Sequence, residues 1–141
     1  MSDRIREFFA TFERLNAADE VDEQVKLYAD PFLMADPNGS RVVTVGELAA
    51  AIPKRKQLFK GIGSIGTRLV TLAETPLDDH YTMVKTTWRW EFDRPVQPDI
   101  VVPSTYIVRT SGDTMKIVLY LNHGDIMSIF RERGLLPQPA V

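Results

Sequence analysis

Asp36 closes a short apolar run, Phe32-Leu33-Met34-Ala35, and is followed by Pro37-Asn38-Gly39, turn formers through fixed φ and tolerated positive φ respectively. Asp36 therefore sits at the end of a buried strand, an acid whose type also suits capping its own turn through Asn38 or Gly39. The chain has two histidines, His80 and His123. His80 follows Asp78 and Asp79, a set that could hold a metal, but a sequential cluster in a turn reads as solvated loop and two histidines argue against a multi-His centre, so no metal site is expected. With no cysteine, thiol nucleophiles, Cys-based zinc sites and redox motifs are excluded. Gly61-Ile62-Gly63-Ser64-Ile65-Gly66 spells G-x-G-x-x-G, which binds a dinucleotide only when a strand precedes it and a helix follows. Here a helix precedes and a strand follows, so the glycines read as a helix stop and no cofactor is expected. Lys54, Arg55, Lys56 and Lys60 read as a solvated helix face, with an anion site as the rarer use.

The elements that must position these groups follow from periodicity. Ile5, Phe8, Phe9, Phe12 and Leu15 form one apolar stripe of a helix from about Ser2 to Asn16. Asp19 is a candidate N-cap for a second helix carrying Val21, Val25 and Tyr28, which Pro31 ends. Thr44-Val45-Gly46-Glu47 spells a capping box for a third helix with Leu48, Ile52, Leu58 and Phe59 apolar, kinked or broken at Pro53. From Thr67 to His123 the chain reads as antiparallel strands: about 67–75, 80–92, 100–110 and 114–123. Asp125 can cap a last helix with Ile126, Ile129 and Phe130 inward, ended by Gly134. Three helices on one bent antiparallel sheet give an α+β fold with a concave face.

At 141 residues with a formal net charge of −2, the chain reads as one domain, 1–134, with a tail at 135–141, large enough to hold a core without crosslinks. The charge offers no attraction to phosphate backbones, so no nucleic-acid partner is expected. No membrane span or signal-like leader is evident, which makes a cytoplasmic protein the expectation. The Asn38-Gly39-Ser40 sequon gets no role in that setting.

The stretch LYADPFLMADPNG, Leu27 to Gly39, resembles the nuclear transport factor 2-like superfamily, a cone-shaped α+β fold that includes ketosteroid isomerases and SnoaL-like polyketide cyclases. The resemblance implies a strongly bent sheet with N-terminal helices over its concave face, a homodimer, and Asp36 at the position of the isomerases' general base. Matched in the same way, His123 ends the last strand inside the pocket, with Leu119 and Leu121 on its face, and Thr86, Trp88 and Trp90 enter from the third predicted strand. Thr11 and Thr105 stand where the isomerases carry the Tyr and protonated Asp of their oxyanion hole, so steroid isomerisation is not expected.

The expected pocket is therefore hydrophobic, lined by Tyr28, Phe32, Met34, Thr86, Trp88, Trp90, Thr105, Leu119 and Leu121, with Asp36 and His123 as an acid/base pair. Its ligand would be a small hydrophobic or aromatic organic molecule. A cofactor-independent lyase, isomerase or cyclase is one reading; a non-catalytic ligand-binding or protein-association module of the same fold is the other. Asp36 and His123 also have purely structural readings, as turn cap and local hydrogen-bond partner, and the two tryptophans could simply fill the core. Period two puts Tyr106, Val108, Val118 and Tyr120 on the outer sheet face, which no helix is left to cover, and this is the expected dimer surface.

Overall fold

The computed structural model describes residues 3–137; Ser2 and the tail beyond 137 lie outside the described residues. Helices α1 (Asp3–Ala17) and α2 (Val21–Val25) come first, then strands β1 (Tyr28–Asp36) and β2 (Gly39–Val43), then helix α3 (Val45–Gly61). Strands β3 (Ser64–Pro76), β4 (Tyr81–Phe92), β5 (Val101–Ser111) and β6 (Thr114–Asn122) follow, then helix α4 (Ile126–Glu132). The six strands form one curled, unclosed sheet in the order β2-β1-β6-β5-β4-β3. It is mixed rather than wholly antiparallel, because β1 and β6 run parallel.

The predicted stripe of α1 is the buried one: Ile5, Phe8, Phe9, Phe12 and Leu15. It lies on the inner sheet face, where Phe9 and Phe12 meet Tyr106 at ring-centroid distances of 5.0 and 5.8 Å and Phe12 meets Trp88 at 5.6 Å. Thr44 caps α3 as expected, its hydroxyl accepting from the Glu47 amide (3.1 Å) while the Glu47 carboxylate accepts from the Thr44 amide (3.2 Å). Pro53 does not break α3, which continues through it with the ring exposed. Gly63, at φ +90°, turns the chain from α3 into β3, and a Cβ there would stand 2.7 Å from the Asp93 carboxylate.

Three local expectations change. The second helix ends at Val25, and Tyr28 belongs to β1, where it is buried against Phe32 with ring centroids 4.7 Å apart. Asp19 does not cap α2; it adopts φ +58° and pairs with Lys56 at 2.5 Å. Residues 39–43 form a strand that turn chemistry alone did not suggest, since Phe32 and Val43 pair across the hairpin and both bury. In addition, Leu135 and Leu136, assigned to the tail, pack with Ile62, Ile100, Val102, Ile126 and Phe130 in a second core.

The largest correction concerns β6. Tyr106 pairs with Tyr120 and Ile107 with Leu119, but Val108 pairs with Ile117, leaving Val118 as an extra residue opposite the Ile107–Val108 step. A bulge of one residue reverses the in/out alternation beyond it. Ile117 therefore faces the core (0% exposed), and so does Tyr120, whose ring stacks on Tyr106 at 4.9 Å with 6° between planes. Tyr106 (2%) and Val108 (0%) are core residues under α1 rather than an outer patch.

Candidate ligand-binding cleft

Between α3, β1, the end of β6 and the start of α4 lies a cleft of about 320 Å³. Met34, Leu58, Phe59, Tyr120, Ile126 and Met127 supply its apolar walls, and Asp36, Arg55, Asn122 and Asp125 its polar groups. The strand register places these side chains together. Met34 of β1 pairs beside Tyr120 of β6, so one further alternation brings Asp36 and Asn122 to the same face. Asp36 is exposed at the mouth and accepts a hydrogen bond from the Asn38 amide at 2.8 Å, the turn-capping bond that its type favours.

The rim is tied together through Asp125. As N-cap of α4 it accepts from the Ser128 amide (3.2 Å) and hydroxyl (2.9 Å), and across the cleft edge from the Asn38 side-chain amide (2.9 Å). The Asn38 bond first, then those from Ser128, hold its carboxyl below the ordinary aspartate range. A depressed folded-state pKa contributes stability above the unfolded value that is lost as pH falls through the folded one. Asp125→Asn should therefore flatten the acid limb of a stability-against-pH curve; an unchanged limb would contradict this role.

Behind the cleft the interior is filled. Trp88 donates its indole N–H to the Thr86 hydroxyl at 2.9 Å, and that hydroxyl donates to the Ser104 carbonyl at 3.3 Å, so both side chains are satisfied in the core. Trp90 meets Phe59 and Phe130 edge-on, at 4.8 and 5.0 Å. Burial raises the phenol pKa of Tyr28 and Tyr106, keeping both neutral.

Of the residues expected to line a pocket, Met34 and Asp36 line the cleft. Tyr28, Phe32, Thr86, Trp88 and Trp90 pack in the two cores. Leu119, Leu121 and Thr105 lie on the outer sheet face, sent there by alternation against Tyr120 and Tyr106. His123 is exposed, and its Nε2 lies 2.7 Å from the Thr105 hydroxyl. Asp36 and His123 thus belong to opposite sides of the sheet, and the structure does not bring them together. The bulge at Val118 is the physical reason, since it inverts every position after it.

Arg55, Tyr120, Asn122 and Asp125 were not singled out for the pocket. The signal for Arg55 was its spacing to Phe59 on α3, which puts the guanidinium 5.4 Å from the ring centroid. At the Asp78 turn, the carboxylate accepts from the His80 and Tyr81 amides, both at 2.8 Å, as a solvated loop would. Among the described residues no cluster of three His, Cys, Asp or Glu side chains is set to hold a metal, and no helix is long and apolar enough to cross a membrane.

This architecture is the nuclear transport factor 2-like, or cystatin-like, fold. An NTF2-like protein with a cystatin-like fold from Novosphingobium aromaticivorans superposes with a TM-score of 0.71 at 15% identity, over 96% of this chain and 88% of its own. An NTF2-like protein of unknown function from Shewanella oneidensis gives 0.70 at 16% identity, over 86% and 98% of the two chains. A Xanthomonas campestris protein provisionally assigned as a polyketide cyclase gives 0.60 at 10%, over 93% and 97%. No family profile matches the sequence, and no curated protein matches it.

Proposed function

We propose that the chain binds a small hydrophobic or aromatic organic molecule in the cleft between α3, β1, β6 and α4. The observation that supports this most is the cleft's lining: an apolar bed of Met34, Phe59, Ile126 and Met127 with a few polar groups at the rim, the composition of small-molecule sites. Leu58, 40% exposed on the α3 wall, offers a probe that spares the core. Leu58→Glu is expected to weaken binding of 2-naphthol at least ten-fold, roughly the loss of one leucine contact, without shifting the melting temperature. Undiminished binding would remove the cleft as the site.

A second reading, acid/base turnover, is favoured by Asp36 standing on the cleft wall. The provisional polyketide cyclase of the same fold is consistent with it. In this reading Asp36 takes a proton from a carbon next to a carbonyl, and the Tyr120 phenol, which also lines the cleft, faces the developing enolate oxygen. His123 has no part in it.

The outer sheet face, with Ile107, Leu119 and Leu121 in place of Tyr106 and Tyr120, is the surface proposed for a homodimer in the cytoplasm. Leu121→Glu should yield a monomer by sedimentation velocity; a native chain that already sediments as a monomer would end this proposal.

A further inference from the structure

The walls of the cleft differ in charge. On one side Asp125 is occupied by Asn38 and Ser128, and Asp36 by the Asn38 amide. On the other, α3 presents Arg55, whose neighbour Lys56 is spent on Asp19 and the Asn16 carbonyl. Arg55 makes no ion pair among the described residues; its guanidinium lies over the Phe59 ring, inside the cleft lining. A guanidinium stacked on an aromatic face keeps its planar fork of donors available for a two-pronged bond to an anion. The formal net charge of −2 means that the molecule as a whole does not attract anions, so any preference for one must come from this local group.

Resting on the cleft as a ligand site, we propose that its ligand carries an anionic group, a carboxylate or a phosphate, paired with Arg55. The apolar body lies along Phe59 and Met127, and the far end reaches Asp36. Arg55 fixes orientation and selects charged ligands over neutral isosteres, while the apolar bed supplies affinity that does not depend on charge.

Calorimetric titration of the full chain with 2-naphthoate, its neutral amide 2-naphthamide, and 2-naphthyl phosphate separates the possibilities. The native protein should bind at least one of the two anions ten-fold or more tighter than the amide. The tighter of the two anions identifies the source as carboxylate or phosphate. In Arg55→Gln the preference for the anion over the amide should fall to within two-fold, and Arg55→Lys should keep part of it. Equal binding of the amide and both anions, or a preference that survives Arg55→Gln, overturns this inference and leaves the cleft intact as a neutral-ligand site. Binding of none of the three overturns both it and the cleft reading.

Discussion

Tyr106→Ala is expected to lower the unfolding free energy by about 3–5 kcal/mol, the range for removing a large buried aromatic ring. Tyr106 is 2% exposed and touches Phe9, Phe12 and Tyr120. A side chain on the bare outer face of the sheet would cost far less, about 0.5 kcal/mol or below. The difference is a large part of the 5–15 kcal/mol that holds a domain together, and for a chain of this length it moves the melting temperature by roughly 10 °C. Chemical denaturation with unchanged m-value reads it directly. A loss below about 1 kcal/mol would place Tyr106 outside the core and contradict the inward face assigned to it and to Tyr120, which stacks on it.

The second large effect belongs to Asp36. If the cleft performs proton transfer, the protein should accelerate deuterium exchange at the α-carbon of 2-tetralone above the buffer rate, and Asp36→Asn should reduce the excess about 10²–10⁴-fold, the usual range for a positioned general base. His123→Ala should leave it unchanged, since that ring bonds Thr105 on the other side of the sheet. Exchange at the buffer rate would leave binding without turnover. A loss with His123→Ala as deep as that with Asp36→Asn would restore the pairing that the register separates.

What was legible in the sequence was whatever rested on strong periodicity or on local chemistry. The α1 stripe, the Thr44–Glu47 box, the Asp125 cap and the extents of β4 and β5 all follow from patterns within one element. The resemblance carried by residues 27–39 supplied the fold that the pattern alone left as α+β. The run Ile117-Val118-Leu119-Tyr120-Leu121 is apolar at every position, so period two has no phase to report, and one bulged residue decides which half faces inward. That single uncertainty moved His123, Leu119 and Leu121 out of the pocket and Tyr120 and Asn122 toward it. Arg55 was hidden for a different reason: a cationic cluster on an amphipathic helix is mostly solvated, and which member turns to a cleft depends on where α4 comes to rest, a tertiary contact with no local trace.

The most direct test is a methyl NMR titration with [13C]methyl-methionine protein and 2-naphthoate. Met34 and Met127 line the cleft, whereas Met83 and Met115 sit elsewhere on β4 and β6. Saturable shifts at Met34 and Met127, with Met83 and Met115 unmoved, are the expected result. Shifts confined to Met83 or Met115, or none at any of the four at millimolar ligand, would contradict a ligand site between α3 and the β1–β6 pair.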